Sequence, residues 1–178
     1  MDARQEAHAI ALAKAGHRNA FEQLVQHYQN PLFRVVGNLV PAMMVEDLVQ
    51  DIFLAAYAAI QTYDSRRGSF RTWLYRIARN RAINAARKKR EVCMPENVAM
   101  VDKRTPATAL LEKEIMACLD KALDSLSLQD RFIFVLAELE GLTYADIARI
   151  ENLPLGTVKS RLARTRSKLR TLLQGYVN

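Results

Sequence analysis

Glycine and proline are scarce in this sequence, which has six glycines and five prolines among its 178 residues. A chain with so few turn-forming residues has little opportunity to build the tight hairpins of a β-sheet protein. No segment sustains the alternation of apolar and polar residues that is typical of a strand, whereas alanine and leucine, which favour helices, are abundant. The composition therefore predicts an all-α fold.

The side chains that build metal sites and catalytic centres are also few. Cys93 and Cys118 lack the spacing of metal ligands, and the three histidines are not placed four residues apart on a helix. No glycine-rich phosphate loop and no cluster of nucleophile and base is recognisable. We expect no metal, no cofactor and no enzymatic activity, and two free thiols in a reducing cytosol.

Long apolar runs are missing. The longest uncharged apolar run, Phe53 to Ile60, is far shorter than the roughly 20 residues that cross a bilayer. The N-terminus also lacks the charged start and apolar stretch of a signal peptide. These observations predict a cytoplasmic protein with no membrane span of its own.

Charge is plentiful but unevenly distributed along this chain of net charge +7. Met43 to Asp64 holds four acids and no base, whereas Arg66 to Glu91 holds ten bases and one acid. Between Glu112 and Asp146 eight acids accompany three bases, and Lys159 to Arg170 holds six bases and no acid. Such alternating blocks suit a chain with two surfaces for nucleic acid and other surfaces for protein partners.

The last basic block belongs to a predicted helix-turn-helix. Thr143 and Asp146 form a helix start signal, and Pro154 suits the first turn of a second helix. The apolar side of that helix comprises Val158, Leu162, Thr165, Leu169, Leu172 and Leu173. Its opposite side comprises Lys159, Ser160, Ala163, Arg164 and Ser167. This distribution fits the major groove of DNA, although a solvated basic face has the same composition.

The acidic block is predicted to be an amphipathic helix from Met43 to Thr62. Its inner side comprises Leu48, Ile52, Ala55, Ala56 and Ala59. Carboxylates and an amide remain on the opposite side, which could dock a basic groove of a partner protein or be an ordinary solvated surface. Upstream, we expect Pro31 to kink or restart a helix.

A basic helix from Phe70 to about Arg90 follows a loop, Thr62 to Ser69, whose last residue is a plausible helix cap. One stripe of this helix comprises Trp73, Arg76, Asn80, Asn84 and Arg87. Cations hold phosphates, amides contact base edges and aromatic rings stack on unpaired bases, so this stripe suits melted DNA. Trp73 also has the spacing of a core residue, and the two interpretations remain open.

Residues Glu91 to Ala107 contain Pro95 and Pro106 and have no helical period. We interpret them as a flexible linker between two small helical domains, residues 1–90 and residues 108–178. The second domain would contain helices beginning near Thr105 and Ser127 together with the helix-turn-helix.

Four segments occur in a characteristic order: EDLVQDIFLAAY, FRTWLYRIARNRAINAARKKR, LSLQDRFIFVLAELEGLTYADIARI and LPLGTVKSRLARTRSKLR. Together they resemble the two domains of an extracytoplasmic-function (ECF) sigma factor, the small two-domain type of the sigma-70 family. The resemblance covers roughly Ala9 to Leu173. One departure is Asn152, which stands where the family often has glycine in the turn; asparagine tolerates a positive φ better than most residues.

The resemblance implies a protein that directs core RNA polymerase to specific promoters, assists DNA opening and catalyses nothing itself. The residues implied to bind core polymerase are Asp47, Gln50 and Asp51. Those implied to recognise and open the −10 element are Tyr63, Arg66, Arg67, Trp73, Arg76 and Asn80. Those implied to read the −35 element are Lys159, Ser160 and Ala163 at bases and Arg161 and Arg164 at phosphates. An anti-sigma factor commonly sequesters such proteins.

Two other classes of function remain as alternatives. A dimeric helix-turn-helix transcription factor with a sensor domain would share the C-terminal motif, but it would leave the acidic helix and the basic helix unexplained. An enzyme would need a catalytic cluster that the sequence does not display. Binding to core RNA polymerase distinguishes a sigma factor from the first alternative, and a nuclease assay with Mg²⁺ tests the second.

Overall fold

The computed structural model describes residues 1–92 and 121–174, with side chains for residues 1–88 and 121–174. No strand occurs in these ranges, which confirms the predicted all-α fold. The helices are α1 (Ala3–Lys14), α2 (Arg18–Gly37), α3 (Ala42–Ala58), α4 (Phe70–Val92), α5 (Leu128–Glu138), α6 (Tyr144–Glu151) and α7 (Leu155–Leu173). Residues 121–124 are also helical, and a 3₁₀ turn, Ile60–Thr62, follows α3.

The helix boundaries follow local chemistry that is visible in the sequence. The Ser127 hydroxyl accepts a hydrogen bond from the Asp130 amide at the start of α5, and the Ser69 hydroxyl accepts one from the Thr72 amide at the start of α4. Each satisfies a helix N–H group that has no partner within the helix. α4 continues through the first two residues of the predicted linker, and the rest of that linker lies outside the described residues.

α2 runs without interruption through Pro31, so the alternative that a new helix starts there is wrong. A proline inside a helix removes one backbone hydrogen bond. Tyr28, before the proline, and Leu32 and Val35, after it, are all buried in the same core. Burial of apolar side chains on both sides of the proline favours one continuous helix over a break.

The N-terminal helices α1 to α4 surround an apolar core to which Leu24, Ile52, Phe70 and Leu74 each contribute an almost fully buried side chain. The C-terminal helices α5 to α7 contribute Phe132, Leu136, Ile147 and Leu162. These residues belong to one continuous apolar cluster. α4 packs against α5 and α6, so the two groups of helices touch in this structure.

The apolar side of α7 matches the predicted stripe over most of its length, because Val158, Leu162, Thr165 and Leu169 are buried. Leu172 is different: it is 43% exposed, so its assignment to the inner side is wrong. A small second cluster containing Leu169 packs against Leu173, which lies closer in angle to Leu169 than Leu172 does.

Candidate nucleic-acid and protein interfaces

The acidic face of α3 is exposed. Leu48 and Ile52 are buried, whereas Asp47, Gln50 and Asp51 lie on the solvent side of the helix. Asp51 is near one cation of α4, with 3.9 Å between its carboxylate and the Arg81 guanidinium. The side chains of this face are therefore available to a partner.

An apolar groove between α2 and α3 lies beside these carboxylates. Its lining includes Phe33, Leu54 and Tyr57, which are 39%, 60% and 38% exposed. Exposed large apolar side chains next to charged groups are typical of surfaces that bind another protein. Leu54 and Tyr57 belong to α3 and Phe33 belongs to α2 on the other side of the groove, a pairing of helices that the sequence does not indicate.

Tyr63 is packed inside the loop that precedes α4. Its hydroxyl donates to the Gly68 carbonyl at 3.3 Å, and its ring lies edge-on to Phe70 and Trp73. The Lys14 ammonium donates to the Tyr63 carbonyl at 2.6 Å. Burial, followed by the nearby carboxylates, raises the pKa of Tyr63. In this arrangement the ring supports the loop from inside rather than standing open to stack on a base.

The outer part of the same loop is ordered by an ion pair. The Arg66 guanidinium donates to both Asp64 carboxylate oxygens, at 3.0 and 2.9 Å. These hydrogen bonds lower the pKa of Asp64 to about 2. The Arg66 side chain is still 88% exposed, and Arg67 beside it is also exposed, so this loop presents a basic surface.

A cavity of about 50 Å³ lies between this loop and α4. Trp73 and Arg76 line it from α4, and Arg149 lines it from α6. Trp73 is only 8% exposed and packs on Phe70, whereas Arg76 and Asn80 are exposed. Of the predicted −10 residues, Arg67, Trp73 and Arg76 therefore meet at this cavity, whereas Arg66 and Asn80 are exposed outside its lining and Tyr63 packs against Trp73.

The exposed face of α7 carries the predicted −35 residues. Lys159, Ser160, Ala163 and Arg164 are all exposed. Arg161 is turned inward: its guanidinium donates to the Gln129 amide oxygen at 2.8 Å and lies 3.2 Å from the Asp130 carboxylate. It would have to leave these partners to reach a phosphate.

The turn of the helix-turn-helix has the predicted geometry. The Thr143 hydroxyl accepts a hydrogen bond from the Asp146 amide at 3.1 Å, and Pro154 directly precedes α7. Asn152 lies between the two helices at φ 54° and ψ 46°, in the left-handed region. Asparagine occupies that region more readily than most residues, so the tight corner forms without glycine.

Two buried carboxylates escaped the sequence analysis. The Glu140 side chain is 1% exposed, and it accepts hydrogen bonds from Arg34, Arg71 and Tyr75. The Glu151 side chain is 0% exposed and lies 3.2 Å from the Arg79 guanidinium. Each glutamate lies four residues after a buried apolar residue, Glu140 after Leu136 and Glu151 after Ile147. An acid is unusual at such a position of an apolar stripe, and this is the sequence signal that could have revealed both residues.

Comparison with known proteins agrees with this geometry. The family model for sigma-70 region 2 matches residues 24–92, and that for sigma-70 region 4 matches residues 116–169. The ECF RNA polymerase sigma-E factor of Escherichia coli (strain K12) is 36% identical over 182 residues, covering 94% of both chains. The chain belongs to the ECF sigma factors. As a member of this family, it is a transcription initiation factor that directs core RNA polymerase to promoters.

Further relatives span nearly the whole sigma factor. SigW of Bacillus subtilis (strain 168) is 33% identical, covering 93% of this chain and 95% of SigW. CnrH, solved in complex with the cytosolic domain of CnrY, has a TM-score of 0.74 and 28% identity over 96% of this chain and 98% of its own. RpoE of Bartonella quintana, solved with the anti-sigma factor NepR, has a TM-score of 0.70 and 28% identity over 86% of this chain and 96% of its own.

The matched regions place α3 and α4 of the sigma factor in region 2, and α5, α6 and most of α7 in region 4. The predicted domain boundaries, residues 1–90 and 108–178 around a linker of residues 91–107, stay predictions. Among the helices of residues 1–92 and 121–174, none is long and apolar enough to cross a membrane.

Proposed function

We propose that the sigma factor uses three separate surfaces. The carboxylate face of α3 docks core RNA polymerase, α4 and its preceding loop recognise and open the −10 element, and α7 reads the −35 element. One observation carries this proposal: the exposed acidic residues of α3 and the exposed basic residues of α7 lie on different helices, and each helix is held by a buried apolar side. Carboxylates repel the DNA backbone, so only the basic surfaces suit DNA.

At the polymerase surface, Asp47, Gln50 and Asp51 supply charge and hydrogen bonds, and the adjoining groove with Leu54 supplies apolar area. A polar rim next to an apolar centre is the usual composition of a stable protein interface. Asp47 and Asp51 would meet basic side chains of the polymerase.

At the −10 surface, Arg66, Arg67 and Arg76 hold phosphates, and Asn80 contacts a base edge. Trp73 lines the cavity and is placed to contact a base turned out of the duplex, while Tyr63 holds the loop in shape. Unstacking a base step costs roughly a few kcal/mol, and a pocket that prefers the unpaired base would offset part of that cost.

At the −35 surface, Lys159, Ser160 and Ala163 face the bases and Arg164 contacts a phosphate. Arg161 contributes a phosphate contact once it leaves Asp130. Each good base contact discriminates by about 1–3 kcal/mol.

We also propose that the sigma factor acts in the cytoplasm, catalyses no reaction of its own and is controlled by an anti-sigma factor. The similarity to CnrH and RpoE supports that control, since both were solved with a bound partner and the RpoE partner is an anti-sigma factor. The apolar groove between α2 and α3 adjoins the surface proposed to bind polymerase, so an anti-sigma factor bound in this groove would compete with polymerase.

The decisive experiment measures binding of Asp47→Arg to core RNA polymerase. We expect affinity to fall more than about tenfold, because a like-charge contact in an interface costs several kcal/mol. Asp124→Arg is the control for charge: it makes the same change on a carboxylate that is 71% exposed, and the ion pair that it breaks, with Arg131, lies within the C-terminal part of the chain. If folded Asp47→Arg binds as tightly as the control, α3 is not the docking surface.

A further inference from the structure

Two buried glutamates of the C-terminal part contact arginines of the N-terminal helices. Glu140 follows α5, and its carboxylate lies 3.0 Å from both the Arg34 and the Arg71 guanidinium groups. The Tyr75 hydroxyl donates to the same carboxylate at 2.9 Å. Every one of these partners belongs to α2 or α4, so Glu140 joins the two halves of the molecule.

Glu151, the last residue of α6, makes a second junction. The Arg79 guanidinium of α4 donates to its two carboxylate oxygens at 3.2 and 3.3 Å, and the Gln129 amide donates at 2.7 Å. The other end of the Gln129 amide accepts from Arg161 of α7. A continuous chain of polar contacts therefore runs from the basic helix α4 to the recognition helix α7.

A carboxylate inside a protein is costly unless ionic and hydrogen-bonding partners surround it. Glu140 and Glu151 are satisfied largely by arginines from the other half of the molecule. Separating the halves would take those partners away. The closed arrangement is thus held by specific groups as well as by the shared apolar cluster.

Arg79 borders the surface assigned to the −10 element. Besides its contact with Glu151, its guanidinium donates to the Asn80 amide oxygen at 3.1 Å. The Thr72 hydroxyl donates to the Asp146 carboxylate of α6 at 3.4 Å. The guanidinium group binds carboxylate and phosphate with the same geometry, so Glu151 occupies a group that a DNA backbone could otherwise take.

α6 also forms one wall of the cavity beside the loop. Arg149 of α6 lines that cavity together with Trp73 and Arg76. A base entering this space would meet the Arg149 side chain, so α6 restricts access to the part of Trp73 that lines the cavity.

We propose that Glu140 and Glu151 form a latch that holds the free sigma factor closed over its own −10-reading surface. DNA phosphates and Glu151 compete for Arg79, while Glu140 holds the two halves together through Arg34, Arg71 and Tyr75. Opening the latch uncovers α4 and, through Gln129, loosens Arg161 on α7. The effect on DNA rests on the function proposed above for α4, whereas the closure itself does not.

The test measures a distance in the full-length free protein, without polymerase or DNA. Spin labels on cysteines introduced at Gln23 of α2 and Ser167 of α7, both exposed, report the separation of the two halves by pulsed electron paramagnetic resonance. Cys93 and Cys118 are replaced by serine in every variant. Arg79→Gln and Glu151→Gln each remove one side of the same contact, and both are expected to lose the short, narrow distance distribution in favour of a longer, broader one.

Glu138→Gln is the matched control, because it also removes one negative charge but breaks an ion pair with Arg166 inside the C-terminal helices. It should keep the short distance. Arg79→Gln keeps the experiment decisive if Glu151→Gln does not fold: the Arg79 side chain is partly exposed, and the Glu151 carboxylate that it leaves without a cation reaches solvent when the halves separate. Folded Arg79→Gln with the wild-type distance distribution would overturn the latch.

A second measurement separates the latch from the function of α4. Binding of a single-stranded oligonucleotide with the −10 sequence is compared between Glu140→Gln and Glu138→Gln. Tighter binding by Glu140→Gln supports both proposals. A longer interhelical distance in Glu140→Gln without tighter binding would leave the latch standing and show that α4 is not the −10 surface.

Discussion

At the residue scale, the position of Tyr75 explains how an acid is tolerated in the middle of the molecule. Tyr75 is 1% exposed, and its hydroxyl supplies Glu140 with a third donor besides Arg34 and Arg71. A carboxylate can accept several hydrogen bonds, and each one that is removed leaves part of its charge unsatisfied. The hydroxyl is therefore expected to matter for stability even though it lies in neither proposed DNA surface.

Tyr75→Phe should lower the free energy of unfolding by about 1.5–3 kcal/mol, the usual contribution of a hydrogen bond to a charged group. Urea denaturation measures the change. Tyr57→Phe, at a side chain that is 38% exposed, is the control and should change stability little. An equal effect of the two substitutions would contradict the importance of the Glu140 contact.

The same substitution has an expected dependence on pH. Burial, and then the Glu140 carboxylate, raises the pKa of Tyr75 above its usual value. A raised pKa in the folded state means that the stabilising contribution is fully present below about pH 10, the pKa of an unfolded tyrosine, and is lost as pH rises above it. The stability difference between wild type and Tyr75→Phe should therefore shrink above about pH 10.

At the element scale, the caps and stripes of the helix-turn-helix were predictable because they depend on neighbours close in sequence. Thr143 and Ser127 accept the expected backbone hydrogen bonds, and Asn152 adopts the left-handed conformation expected of the corner. Each of these features is decided within about four residues of chain.

Other features of the same elements depend on residues far away in sequence. Nothing near Tyr63 indicates that its ring will be buried against Phe70 and Trp73, and nothing near Arg161 indicates that it will meet Asp130. Glu140 finds its partners on α2 and α4, which are distant along the chain. Local periodicity could flag its unusual position but not its partners.

The exposed basic residues of α7 are proposed to have separate roles at the −35 element, and substitutions can test this. Lys159→Ala should change the preferred −35 sequence, with an altered discrimination of about 1–3 kcal/mol at one position. Arg164→Ala should weaken binding to all promoters alike. It should also reduce the slope of log affinity against log salt concentration by about one. Run-off transcription from promoters with single −35 substitutions, at several salt concentrations, measures both effects. Identical promoter profiles for the two variants would contradict the assigned roles.

At the scale of the whole molecule, the proposed surfaces require the closed arrangement to open on a promoter. Positions −10 and −35 are about 25 base pairs apart, or roughly 85 Å at 3.4 Å per base pair. α4 packs directly against α6, which precedes α7 in the helix-turn-helix, so α4 and α7 belong to one closely packed set of helices. If α4 reads the −10 element and α7 the −35 element, the two surfaces have to move apart before both elements are bound.

Core RNA polymerase is the expected cause of that movement. Adding it to the doubly spin-labelled wild-type protein should replace the short distance between α2 and α7 by one several times longer, because a partner that binds only the open form shifts the equilibrium toward it. Asp47→Arg should retain the short distance at the same polymerase concentration. Opening of Asp47→Arg to the same extent as wild type would show that polymerase acts through another surface.

The packing of Trp73 gives the protein an optical signal of its own. It is the single tryptophan of the chain, its ring centroid lies 5.3 Å from that of Phe70, and it lines the same cavity as Arg149. Lifting α6 away would bring water or a stacked base to the indole ring, and the wavelength and intensity of indole emission respond to both. Ordinary fluorescence of the unmodified protein would thus follow the uncovering of the surface assigned to the −10 element in real time.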